Sequence, residues 1–280
     1  MHTSVDTSVF PLNLSGPRSA CSQCDQRALC LPAALPPAES DRLDKIISGR
    51  LRIRRGHHLY RCGGPFGSIY AVKSGFFKTE VVTADGGSHV IGFQMAGDML
   101  GMDGISSEVH ACSAIALEES EVCVIPFADL ERLSRDVRTL QRHFHQLMSR
   151  EIVRDHGVMM LLGSMCAEES LAAFLLSLSQ RFTARGGSPT EFQVRLTREE
   201  IGSHLGLRLE TVSRLFSRFQ EDGMISVEQR RIRILDIPGL KRLMTHVPAN
   251  RRAIVPLNPR KLPRFPHAPR GPFAAAELSA

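Results

Sequence analysis

Tryptophan is absent from this 280-residue chain and tyrosine occurs only twice, which leaves little for the stacked aromatic platforms that grip single-stranded nucleic acid. No stretch approaches the roughly 18 uninterrupted apolar residues that a membrane helix needs. Met1–Ala20 has no basic segment leading into an apolar one, so no secretory signal is read. The expectation is a cytoplasmic protein without a membrane partner. Walker A, HExxH, GxSxG and dinucleotide GxGxxG motifs are missing, and with them the common signatures of an enzyme. Acidic residues are few enough to leave a net charge of +6. The segment 247–280 carries +5 of that, leaving +1 for the rest; net charge alone therefore does not establish a nucleic-acid partner.

Hydrophobic residues make up 42 % of the chain, sufficient for a core without disulfide or metal staples. From Leu51 to about Ile125, short apolar runs alternate with glycine turns such as Gly63-Gly64, Gly86-Gly87 and Gly97-Asp98, the pattern of an antiparallel barrel or sandwich. After Pro126 the period becomes helical: Leu140, Phe144, Leu147, Met148, Ile152, Met159 and Leu162 recur at spacings of three and four. Such a stripe packs either on its own barrel or, the preferred reading, on the same helix of a second copy. Asp155 shares the face of Ile152 and Met159. In a symmetric parallel pair it would approach its own copy, and two carboxylates repel, so Asp155 and Ile152 are read as a dimer switch; a solvated rim position is the plain alternative.

The chain then divides into a flexible leader (1–20), a segment holding clustered cysteines and the β domain (21–135), a dimerisation helix (136–165), a DNA-binding domain (166–246) and a Pro/Arg-rich tail (247–280) too proline-dense to form a core. The fold class is α+β. Thr197-Arg-Glu-Glu200 matches a capping box opening a short helix through Leu205, which Gly206 ends at a tight turn. A second helix from about Leu209 to Asp222 follows, and Ile225–Leu235 reads as a wing hairpin. This is the layout of a winged helix-turn-helix, whose second helix enters the major groove. Glu210, Ser213 and Arg214 share one side of that helix. Arginine reads guanine and glutamate accepts from cytosine, while Arg208 and Arg218 suit phosphates. A plain Glu210–Arg214 surface ion pair is the alternative, made less attractive by the cap, the glycine turn and the wing.

Seven cysteines, an odd number, argue against a disulfide framework. Cys21-Ser-Gln-Cys24-Asp-Gln-Arg-Ala-Leu-Cys30 gives C-x2-C-x5-C, three thiolates able to hold one face of a metal centre. A second close pair, usual for zinc, is lacking, so three-plus-one suits a cubane iron–sulfur cluster better. Zinc, a thiol switch and no ligand role all stay open on spacing. So does the fourth ligand, among Cys62, Cys112, Cys123 and Cys166.

With Tyr70-Ala-Val-Lys-Ser-Gly75, Gly92-Phe-Gln-Met-Ala-Gly97-Asp98, Glu121-Val-Cys-Val-Ile-Pro-Phe127 and Glu210-Thr-Val-Ser-Arg214, these features resemble the FNR regulators, a branch of the cyclic AMP receptor (CRP) superfamily. The resemblance runs from Cys21 to Leu235. It implies a cyclic-nucleotide-binding-like β-roll, a long dimerisation helix and a winged helix-turn-helix. It further implies a 4Fe-4S cluster on Cys21, Cys24, Cys30 and Cys123, and oxygen sensing in the anaerobic response through loss of that cluster. It implies a homodimer reading a TTGAT-N4-ATCAA-like double-stranded operator through Glu210, Ser213 and Arg214, and contact with RNA polymerase as an activator. Two departures stand out: Arg208 replaces a common capping threonine, and the tail beyond Val247 lies outside the pattern. Cyclic AMP binders of the superfamily place a glutamate and an arginine where Met102 and His110 stand, so no cyclic nucleotide is expected. A haem sensor using His57, His58, His89 or His110 leaves the cysteine motif unexplained.

Overall fold

The structure, a computed structural model, describes residues 21–83 and 86–245. The leader and the tail expected from the sequence lie outside the described residues. The cysteine segment folds as 3-10 turns at Cys21–Gln23 and Leu31–Ala34, followed by helix α1 (Pro37–Ile46). Strands β1 (Gly49–Ile53), β2 (His58–Tyr60), β3 (Ser68–Ser74), β4 (Phe76–Val82), β5 (Ser88–Met95), β6 (Met99–Leu100), β7 (Ser113–Ala116) and β8 (Ser120–Pro126) come next. They form two antiparallel sheets, ordered β1-β8-β3-β6 and β2-β7-β4-β5. Residues such as Val72, Phe77, Ala114 and Val122 are buried between them, because alternate side chains along a strand share one face. Within the first sheet β8 is held on both sides, by β1 and β3. Cys123 therefore sits on a strand with little freedom to move.

The sequence reading gave one helical period after Pro126. The structure inserts α2 (Phe127–Asp136) between β8 and the long helix. Val137 leaves helical geometry at φ −113°, ψ 89° and buries its side chain with Leu130, Leu133 and Leu140. Apolar burial at this junction outweighs helical continuity, and the chain bends there. Helix α3 (Arg138–Ser164) follows. Its apolar stripe has two halves with different fates. Leu140 and Phe144 pack on the chain's own cysteine segment and roll, whereas Ile152 and Met159 remain 55 % and 58 % exposed. Packing on the chain's own roll thus holds for the first half of the helix, and the second half is left uncovered within the chain.

Helix α4 (Ala167–Thr183), strand β9 (Glu191–Gln193), helices α5 (Arg198–Leu205) and α6 (Leu209–Glu221), strands β10 (Ile225–Glu228) and β11 (Arg231–Ile234) and helix α7 (Ile237–Thr245) complete the described chain. The last three strands form an antiparallel sheet in the order β10-β11-β9. Their core includes Leu171, Leu175, Ile201, Val212 and Phe219, and it runs without a break into Phe76, Val90 and Phe93 of the roll. Each such fully buried side chain contributes about 1.5–3 kcal/mol. No helix among the described residues is long and apolar enough to cross a membrane.

Candidate cofactor site and nucleic-acid interface

Four of the seven cysteines meet. Cys21, Cys24, Cys30 and Cys123 line one small cavity, open at its mouth, whose other walls include Leu31, Pro32, Leu43, Ala71 and Ile125. The loop is anchored at both ends. The Cys21 amide donates to Asp44 Oδ1 at 2.8 Å, Arg27 Nη2 donates to the Leu35 carbonyl at 3.0 Å, and His143 Nε2 on α3 lies 3.2 Å from the Cys30 carbonyl. Cys62 and Cys166 are exposed and Cys112 is buried elsewhere in the roll, beside Asp103 Oδ2 at 3.4 Å.

Burial dominates the acidity of these thiols. It pushes Cys21 up, with Asp44 adding to the effect. It pushes Cys30 up to about 12 and raises Cys123, partly offset by the Arg50 guanidinium. An apolar pocket thus disfavours bare thiolates, and four of them would be stable together only around a cationic core. Among the described residues no three His, Cys, Asp or Glu side chains converge closely enough to hold a single metal ion. A mononuclear zinc site needs its sulfurs about 2.3 Å from one point; a cubane takes one thiolate at each corner and so accepts a wider set. An all-sulfur donor set spread around one apolar cavity fits the iron–sulfur group.

The second candidate surface is α6. Its predecessor α5 is capped as the sequence predicts: the Glu200 amide donates to Thr197 Oγ1 at 3.1 Å and the Thr197 amide to Glu200 Oε2 at 2.8 Å. Gly206 ends α5 at φ +65°, a left-handed conformation open to glycine at little cost. A Cβ on Gly202 would stand 2.6 Å from the Leu207 carbonyl oxygen, so the turn closes only with glycine there. Val212, Leu215, Phe216 and Phe219 turn inward, leaving Glu210, Ser213 and Arg214 exposed together. Arg214 Nε donates to the Glu210 backbone oxygen at 3.3 Å, leaving the Glu210 carboxylate outside that bond. Arg208 occupies the N-cap of α6 without a side-chain cap bond, the consequence of lacking a threonine there. Arg218 pairs with Glu168 of α4 and faces Asp222, so a phosphate would have to compete with both.

Elsewhere, Asp155 is exposed on α3. His110 is 2 % exposed. Its ring stacks on Tyr60 at 3.8 Å and its Nδ1 meets Asp103 Oδ1 at 3.4 Å. Residues missed from sequence are those whose role is a long-range contact. These include His143 under the cysteine loop, 113 positions from Cys30, and His204, whose Nδ1 lies 3.3 Å from the Val90 carbonyl. Spacing in the sequence carries no signal for either.

The family described as Crp-like helix-turn-helix domain matches residues 169–243, and that described as cyclic nucleotide-binding domain matches residues 50–136. The chain is 46 % identical over 231 residues to the transcriptional regulatory protein Btr of Bordetella pertussis, covering 82 % of this chain and 96 % of that one. It is 42 % identical over 226 residues to the fumarate and nitrate reduction regulatory protein of Escherichia coli, covering 81 % and 90 %. The solved structure of FixK2 from Bradyrhizobium japonicum superposes with a TM-score of 0.65 at 25 % identity, covering 71 % of this chain and 98 % of that one. With relatives this similar along nearly their whole length, the chain belongs to the CRP/FNR family of transcriptional regulators and not to a family of enzymes.

Proposed function

We propose that this regulator responds to oxygen in the anaerobic response through a 4Fe-4S cluster held by Cys21, Cys24, Cys30 and Cys123, and that it binds DNA as a homodimer. The observation that carries the reading is the convergence of these four cysteines, out of seven, on one apolar cavity. When bound, the cluster would supply an oxygen-labile inorganic link between the loop and the roll. The chain's own residues do the rest. Cys123 offers a fixed anchor on β8, while His143, Leu140 and Phe144 carry the position of the loop to the first half of α3. The exposed second half, with Ile152 and Met159, pairs with a second copy. Asp155 on that face makes pairing marginal and hence switchable, so Asp155→Ala should strengthen dimerisation of the cluster-free protein; unchanged sedimentation would discard the switch.

In the dimer, Glu210, Ser213 and Arg214 read a TTGAT-N4-ATCAA-like operator, with Arg208 and Arg218 toward phosphates. The division into sensor (21–135), dimer helix (136–165) and DNA-binding unit (166–246) belongs to the same reading. So do an activator role with RNA polymerase as partner and a cytoplasmic location. Cyclic nucleotide has no part in it: His110, which stands where the resemblance wants a phosphate-binding arginine, is turned instead against Tyr60 and Asp103.

The deciding experiment is operator binding by anaerobically purified protein, with iron and sulfide assayed, before and after air and in Cys123→Ala. Affinity should fall at least tenfold in both cases. Equal affinity in all three samples removes the oxygen switch and leaves a DNA binder.

A further inference from the structure

The turn between β5 and β6 gathers more charge than any turn needs. The Asp98 side chain is only 10 % exposed, and three guanidinium groups from two helical segments surround it. Arg181 Nη2 of α4 stands 2.6 Å from Oδ2, Arg185 Nη2, just beyond α4, 2.7 Å from Oδ1, and Arg154 Nη2 of α3 3.5 Å from Oδ1. The Met95 amide donates to Oδ2 at 2.9 Å. The arginines also grip the backbone beside it: Arg181 donates to the Phe93 carbonyl at 2.7 Å and Arg185 Nε to the Ala96 carbonyl at 2.6 Å. Burial alone would raise the pKa of this carboxyl; Arg181, then Arg185 and Arg154, overcome it and hold the group ionised.

The same turn touches the cysteine loop. Gly97 has φ +90°, and a Cβ there would stand 2.8 Å from Leu29 Cβ, so Leu29 packs directly against its backbone. On the other side, β5 is stitched to the first helix of the DNA-reading pair. Ser203 Oγ accepts from the Val90 amide at 2.9 Å and His204 Nδ1 meets the Val90 carbonyl at 3.3 Å. Lys78 on the neighbouring strand reaches Glu200 at 3.3 Å.

We infer that Asp98 is a positioning residue for DNA reading: it ties α4, whose buried side chains share a core with those of α5 and α6, to the turn on which Leu29 rests, so a displacement of the cysteine loop reaches α6 within one chain. A buried carboxylate serving three guanidinium groups makes this tie stiff, because moving it leaves like charges facing one another in a poorly solvated place. Charge-assisted, multiply bonded contacts also carry direction, which apolar packing alone does not. The device acts beside dimerisation and does not need the subunit contact. It rests on the oxygen-sensing reading of the loop, and its test separates the two.

Full-length protein, loaded with iron and sulfide, is compared as wild type, Asp98→Asn and Asp98→Glu at concentrations where sedimentation shows dimer throughout. Amide hydrogen exchange over 167–205 and operator affinity are read before and after air. Wild type is expected to lose protection in α4 and α5 on exposure. Asp98→Asn, with iron, sulfide and dimer retained, is expected to show exchange at least fivefold faster there in both states and operator affinity at least tenfold weaker, with Asp98→Glu recovering part of each. Wild-type exchange and affinity in Asp98→Asn overturn the inference. Should that variant fail to fold, Arg185→Gln decides by the same two readouts. Should wild type bind no iron, the oxygen reading fails by itself; faster exchange of α4–α5 in Asp98→Asn still supports the tie, and equal exchange overturns it.

Discussion

The cysteine loop and the helix pair α5–α6 are both short and both hold residues assigned to function, yet they are built on opposite plans. The helix pair carries its own fold: a capping box, glycines at the tight turn, and a continuous apolar face ending in Phe219. Residues Cys21–Ala34 form only 3-10 turns, and the loop borrows its position from Asp44, His143 and the roll. The first is stable because its function is to present a surface. The second is weakly self-determined because, in the proposed reading, its function is to change.

Four measurements test that contrast, in falling order of effect. Phe219→Ala should cost about 3–5 kcal/mol of unfolding free energy, since its side chain is 1 % exposed within the helix-pair core; a loss below ~1 kcal/mol in denaturant titration would mean the pair does not depend on its own core. Next comes the seam that fastens the pair to the roll. Burial holds His204 down at about 4 against 6.5 for the free side chain. The folded state therefore binds fewer protons than the unfolded one in that interval. This contribution is complete above pH 6.5 and disappears as pH falls toward 4, about 3 kcal/mol in all. His204→Gln should flatten the thermal stability profile between those limits; an unchanged slope would assign it to other groups.

Arg214→Ala should weaken operator binding by about 1–3 kcal/mol concentrated at one base pair, with thermal stability unchanged because the side chain is exposed. A uniform loss across sequences would reassign it to the backbone. The smallest stability effect belongs to the loop: Cys24→Ser should change the unfolding free energy of metal-free protein by no more than ~0.5 kcal/mol while lowering iron per chain at least tenfold. A large destabilisation of the metal-free form would show the loop to be as self-supporting as the helix pair, and the contrast would fail.

Legibility in the sequence follows the same division. Thr197, Glu200 and Gly206 signal their structure through local hydrogen bonds and backbone conformation, so the helix pair was readable to within a residue or two. Spacing also made the Cys21–Cys30 triplet legible, though not its partner: Cys123 became distinct from Cys62, Cys112 and Cys166 through the resemblance and through the register that sets it opposite Arg50 and Ala71. The long apolar stripe of α3 looked uniform. Only packing divided it into an inward half and an exposed half, because periodicity records which face is apolar and not what covers it. His110 illustrates the reverse case, a polar residue in a glycine-rich stretch that tertiary stacking on Tyr60 carries into the interior.

By itself, then, the amino-acid order determined the elements whose causes lie within a few residues: the strands and turns of the roll, the helical period after Pro126, the capped helix pair and the cysteine triplet. The tertiary structure alone decided what meets across long separations, namely the fourth cysteine in the cavity, His143 beneath the loop, the bend at Val137, and Asp98 among arginines 56 to 87 positions away. The reason is physical: a capping bond or a turn is settled by neighbours already tethered, whereas burial and charge compensation act on whatever the folded chain brings near.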